Sequence, residues 1–159
     1  MIKYEMLNLV IRPTLRLMNL TVNGISTEKA QALLLGTALV ESNLGRVTQK
    51  GNGPALSYFQ IEPFTAKDVY DRAGARWDDL FDAIMMPGFT VLDQLATNQH
   101  LACAIARLKY YFDKQPIPDT GIGLAHFHKR VYNTHLGKAD PEKNIPVFEM
   151  CLNYVREKR

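Results

Sequence analysis

Between Thr27 and Leu44 the residues Ala30, Ala32, Leu33, Leu34, Leu35, Ala38, Leu39 and Val40 leave almost no polar face on a helix. A helix that is apolar all round belongs inside a core, with other elements packed on every side. With 159 residues, the chain is about one domain long and can bury roughly 68–70% of its unfolded surface. One residue breaks the apolar run. Glu41 closes it, with Leu34, Thr37 and Ala38 seven, four and three positions before it. That spacing sets its carboxylate on the buried stripe. Burial and the negative end of the helix, about one turn away at Gly45, both favour the protonated form. A protonated carboxyl is what a general acid requires. The bland alternative is a helix-end glutamate that reaches solvent or pairs with Arg46 or Lys50.

The layer around such a helix must come from the rest of the chain, and its pattern is also helical. No run alternates as a strand would. Residues 4–20 form an apolar opening segment that Pro13 kinks or breaks. Asn23-Gly24 is a turn, Ser26 or Thr27 caps the central helix, and Gly45 stops it. Arg46 to Leu56 is an ordered polar loop. Pro63 opens a helix ending near Gly74, and a short one spans Asp78–Met86. A long stretch from Thr90 to Phe112 is interrupted near Asn98, with Leu101, Ile105, Leu108 and Phe112 as one buried stripe. Residues 120–134 carry Leu124, Phe127, His128 and Val131 on one face, and 141–157 form the last helix. The expected fold is all-α, a single domain of about seven helices over 1–159.

Composition narrows the function classes. Apolar residues make up 47% and charged residues 22%, which excludes a disordered or low-complexity chain. Apolar runs fall far short of the ~20 residues of a membrane helix, so no membrane insertion is expected. Nineteen Lys and Arg against sixteen Asp and Glu give +3. The basic residues are scattered, and only Arg156, Lys158 and Arg159 bunch together. A nucleic-acid binder concentrates them on one face, so no nucleic-acid partner is expected. Met1-Ile2-Lys3-Tyr4-Glu5 does not open a signal peptide, and a protein made in the cytoplasm follows. Cys103 and Cys151 each sit on an apolar stripe and read as buried free thiols. His100, His126, His128 and His135 lack partners at ligand spacing, so neither metal nor cofactor is expected.

Past the polar loop stands a dense block, Ser57-Tyr58-Phe59-Gln60-Ile61-Glu62-Pro63. Tyr58, Phe59 and Gln60 offer ring faces and an amide, groups that bind sugars by stacking and bidentate hydrogen bonds. Equally, the two rings read as core and the amide as a backbone partner. Glu41-Ser42, the loop, this block and Thr65-Ala66 together resemble the first two motifs of the lysozyme-like soluble lytic transglycosylases, in the goose-type lysozyme superfamily. That family has Glu-Ser, a loop, then Gly-Leu-Met-Gln and Pro-x-Thr-Ala. The similarity continues through Asn98, Leu108-Lys109-Tyr110-Tyr111-Phe112 and Leu124-Ala125-His126-Phe127, covering about residues 30–135. With Tyr132-Asn133-Thr134 after the third motif, the chain also resembles compact cell-wall enzymes encoded by bacteriophages.

Departures are informative. Ser57 replaces a glycine, and Tyr58-Phe59 replace Leu-Met, which narrows the expected groove floor. Phe127 aligns with a tyrosine that in the family hydrogen-bonds near the acid, and His128 stands in an asparagine's place. Tyr132-Asn133 restores the pair five residues on, about 140° further round an α-helix. Tyr132 is the favoured partner of Glu41 if the helix bends there, and His128 is the other candidate.

The resemblance implies a substrate of peptidoglycan glycan strands, cut between N-acetylmuramic acid and N-acetylglucosamine, and a monomer acting on the cell wall. Glu41 would protonate the glycosidic oxygen, then deprotonate the sugar's own 6-hydroxyl to give a 1,6-anhydro end. Ser42, Ser57, Tyr58, Phe59, Gln60, His128, Tyr132 and Asn133 would bind the strand. A hydrolytic lysozyme needs a second carboxylate, for which Glu62 and Asp68 are nearest in sequence. A module of another class, gripping glycan without cutting it, would gain nothing from a buried acid.

Overall fold

The computed structural model describes residues 1–133 and 137–158; Thr134, His135 and Arg159, named in the sequence analysis, lie outside them. The chain is all-α. It opens with α1 (Lys3–Glu5), passes through a π-helical stretch, Met6–Ile11, and enters α2 (Arg12–Asn19). Pro13 therefore does not break the opening segment. The wider π register, in which the Arg12 amide reaches back five residues to Leu7, comes just before Pro13, which then sits in the first turn of α2.

The central helix is α3 (Glu28–Ser42). Thr27 caps it, its Oγ1 accepting from the Ala30 amide at 3.1 Å. Every residue from Ala32 to Ala38 is buried. The helix ends earlier than glycine punctuation implies. Asn43 and Leu44 turn left-handed, at φ 50° and 55°, before Gly45 is reached.

Around α3 are α4 (Pro63–Ala73), α5 (Asp78–Ile84), α6 (Val91–Gln94), α7 (Gln99–Tyr111), α8 (Gly121–Phe127) and α9 (Pro141–Glu157). Between α6 and α7 the break falls at Asn98, whose Oδ1 accepts from the Leu101 amide. Leu101 to Leu108 are buried on all sides rather than along one stripe, so α7 is a second central helix. The two central helices are tied by Thr37 Oγ1 and Tyr110 Oη, 2.8 Å apart. α3 packs on α9, which in turn packs on α8.

Two features position the chemistry. The loop 46–61 is pinned by isolated bridges Thr48 to Leu56 and Leu56 to Ile61, closing a tight turn over Ser57–Gln60. After α8 the chain does not stop but widens into a π-helix, His128–Asn133. Among the described residues no helix is long and apolar enough to cross a membrane. Cys103 and Cys151 are free and buried, and burial pushes both thiols up to about 12.

Candidate functional site

Glu41 occupies the last turn of α3, its side chain 17% exposed. Its Oε1 lies 2.9 Å from Nε2 of His128, whose side chain is wholly buried. Tyr132 is not the partner of Glu41. Its hydroxyl donates instead to the Phe59 carbonyl at 2.7 Å. The reason is the π-helix, whose turn is wider than that of an α-helix. Residues five apart then come to one side: Phe127 and Tyr132 both stack on the Tyr110 ring, at centroid distances of 5.5 and 5.3 Å. The 140° separation of a regular α-helix is removed, Tyr132 is drawn toward the Ser57–Gln60 turn, and His128 is left facing the acid.

The second nitrogen of His128 decides which way the hydrogen bond runs. Nδ1 is buried and has no partner among the described residues. Tyr132 and Phe148 flank the ring, at 5.7 and 5.6 Å. An unpartnered N–H in that position costs more than a bare lone pair, because the donor loses its water outright. The favoured tautomer therefore carries its hydrogen on Nε2 and donates to Glu41 Oε1. Glu41 Oε2 has no hydrogen-bond partner among the described residues and is the oxygen free to carry and deliver a proton.

Glu41 lines two adjoining grooves, of about 640 and 400 Å³, and Asn133 and Lys138 also line both. A carboxyl at their junction can address the middle of an extended ligand that runs through them. The larger arm is also lined by Arg46, Lys50, Gln60, Glu62, Thr65, Lys109 and Tyr132. Lys109 donates from Nζ to the Tyr132 carbonyl at 2.9 Å and lies over the Tyr132 ring. Burial lowers its pKa, with the charges of Glu41 and Glu62 opposing. Tyr132 itself is held well above the ordinary phenol range, first by burial and then by the Glu41 charge, so it stays a neutral donor.

Several expected ligand-binding residues turn out to stand behind the groove wall. Ser42, Ser57 and Phe59 are buried. Ser42 Oγ sits 2.7 Å from the Tyr58 carbonyl and 3.0 Å from that of Ala38, so it ties α3 to the turn rather than facing a ligand. Ser57 Oγ accepts from the Phe59 amide at 3.1 Å. Phe59 fills the core, and Tyr58 lines neither groove, so the pair does not narrow the groove floor. The ring that reaches the groove is Tyr132. Gln60 lines it while donating from Nε2 to the Ser57 carbonyl at 2.8 Å. Of the two second carboxylates, Glu62 lines the larger groove with Glu41, whereas Asp68 is exposed on α4 and lines neither.

The backbone is strained where these pieces meet. Among the described residues, the non-glycine positions with left-handed φ are Asn43, Leu44, Asn52, Ser57 and Gln60, all within the segment that follows Glu41. Strain of about 1–3 kcal/mol per such residue persists only where the surroundings enforce it. Here Ser42 and Tyr132 grip the carbonyls of Tyr58 and Phe59.

Lys109 and Arg46 went unassigned as groove residues at the sequence level. A lysine inside the otherwise apolar Leu108–Phe112 stretch was the available signal. Arg46 does not pair with the Glu41 carboxylate; its Nη2 donates to the Glu41 backbone carbonyl at 3.3 Å. Among the described residues no three His, Cys, Asp or Glu side chains gather to hold a metal ion. No protein-family model, curated protein or solved structure matches the chain.

Proposed function

We propose that this protein is a peptidoglycan-degrading glycosidase of the lysozyme-like lytic transglycosylase type. It cuts the glycan strand between N-acetylmuramic acid and N-acetylglucosamine with Glu41 as general acid and then base. One observation carries the reading: a carboxyl at the junction of two grooves, one oxygen 2.9 Å from a buried histidine nitrogen and the other without a hydrogen-bond partner among the described residues. The resemblance of the Glu41-Ser42, Ser57–Gln60 and Leu124–Phe127 segments supports it, since Ser42 ties the end of α3 to the Tyr58 carbonyl and His128, directly after Phe127, meets Glu41.

In the first step Glu41 gives its Oε2 proton to the glycosidic oxygen, and the bond from that oxygen to the anomeric carbon breaks. Positive charge develops on the sugar ring as the Glu41 carboxylate forms, and the His128 Nε2–H bond to Oε1 stabilises that carboxylate. In the second step Glu41 takes the proton of the sugar's own 6-hydroxyl, whose oxygen closes on the anomeric carbon to leave a 1,6-anhydro end. No second carboxylate is consumed. Binding in both arms of the groove holds the scissile oxygen near the acid, which lowers the entropic part of the barrier. On this reading the protein acts on the cell wall.

A second reading has an observation of its own. Glu62 lines the same groove as Glu41, so a hydrolytic muramidase with Glu62 directing water is the alternative. Digestion of purified peptidoglycan by the wild type and by Glu41→Gln, read by mass spectrometry, separates the possibilities. Anhydro ends from the wild type alone are expected. Reducing ends would transfer the second step to Glu62 and water. A folded wild type that binds walls and releases nothing would leave a glycan-binding module.

A further inference from the structure

The groove carries more positive charge than a neutral sugar strand calls for. Arg46, Lys50, Lys109, Lys138 and Lys143 line its two arms, against Glu41, Glu62 and Asp140. None of the five cations has a carboxylate within ion-pair distance among the described residues. Two of the cations are held back from solvent. Arg46 Nε is buried without a partner, and Lys109 spends one N–H on the Tyr132 carbonyl and keeps the rest for the groove. Partly desolvated cations without counter-charges are unfavourable alone and are offset when a ligand brings the missing anion.

We propose that the larger arm is a subsite for a carboxylate carried on the glycan strand, received by Arg46 and Lys109 beside the bond that Glu41 addresses. Guanidinium and ammonium donors suit this ligand, because charge-assisted hydrogen bonds to a carboxylate are about twice as strong as neutral ones. The substrate class is thereby an anionic glycan, with the peptide-borne carboxylates of the muramyl units retained, rather than a neutral amino-sugar polymer. The inference rests on the reading of the groove as a glycan site.

Its test compares two soluble probes on the full chain bearing Glu41→Gln, which prevents turnover. One is the glucosaminyl-muramyl dipeptide with its free carboxylate, and the other is the same compound as its carboxamide. Titration calorimetry is expected to give the carboxylate about tenfold tighter binding, a gap that shrinks in 0.5 M salt and closes in Arg46→Gln and in Lys109→Gln. Equal affinities, or no binding of either probe, overturn the subsite. The acid–amide comparison needs no change at Lys109, so it decides the matter even where Lys109→Gln does not fold. Displacement of the probe by an oligonucleotide of equal charge, as effectively as by the free carboxylate compound, also overturns it in favour of a general polyanion groove. The two readings fail separately. Wall cleavage by wild type with equal probe affinities removes the subsite alone; carboxylate preference without any wall cleavage removes the enzyme alone.

Discussion

Replacing His128 by phenylalanine keeps a ring between Tyr132 and Phe148 but removes the donor that lies 2.9 Å from Glu41 Oε1. The carboxyl then loses its orientation and a positive dipole at the moment its charge forms. Under the proposed mechanism, wall cleavage should fall about 100-fold in kcat, the usual size for losing a group that positions another. His128→Gln, which retains an N–H donor, should recover part of that loss. Both are read by the rate of soluble product release, with circular dichroism to confirm folding; an unchanged kcat in His128→Phe sinks the assignment. A second residue inverts an ordinary rule. Ser57 sits at φ 69° and its Oγ accepts a buried backbone N–H. Ser57→Gly relieves the left-handed backbone, worth ~1–2 kcal/mol, while losing a bond of ~1 kcal/mol. Ser57→Ala loses the bond and keeps the strain. Urea unfolding should therefore find alanine less stable than glycine, by about 1 kcal/mol or more. In the sequence, Ser57 reads as a residue that narrows the groove. What it marks here is a backbone angle, which no side-chain pattern discloses.

At the level of elements, α3 owes its central place to one missing side chain as much as to its leucines. A methyl group on Gly36 would run into the ring of Phe148 on α9, itself fully buried. In an exposed helix Gly→Ala stabilises by about 1 kcal/mol. Here Gly36→Ala should destabilise by about 1–3 kcal/mol through overpacking. Phe148→Leu should partly rescue it in a double-mutant cycle; additive effects would show that the two positions do not touch. The existence and order of the helices were legible because hydrophobic periodicity and caps at Thr27 and Asn98 are local signals. The π-helix over His128–Asn133 was not. Its wider turn is stabilised by what lies around it, namely Tyr110 stacking on both Phe127 and Tyr132 and the Phe59 carbonyl accepting from Tyr132. The partner of Glu41 is accordingly His128, the other candidate, rather than Tyr132, which the sequence favours if the helix bends there.

For the whole molecule, the buried thiols report on cooperative unfolding. Cys103 and Cys151 are pushed up to about 12 from an ordinary 9.0. Native protein at pH 8 should show no reaction with a chromogenic disulfide reagent, and two thiols should react once urea unfolds it. Because these acids are weaker in the fold than in the open chain, the unfolded state releases protons first as pH rises. Their contribution to stability is fully present below about 9 and is lost as pH climbs toward 12. Tyr110 and Tyr132, also raised by burial, add loss in the same direction. The urea midpoint should drop between pH 8 and 10.5, and less steeply in Cys103→Ala/Cys151→Ala. A pH-independent midpoint over that range would contradict the burial of these groups.

From its sequence alone the chain is committed to an all-α fold around a helix apolar on every side, with a carboxylate at that helix's end. These follow from periodicity and capping, which act within a few residues. Which side chain meets that carboxylate, which rings face the groove and which cations gather in it depend on segments far apart in the chain, eighty-seven positions in the pairing of Glu41 with His128. Only packing brings such segments together, and packing sets His128 rather than Tyr132 against the acid.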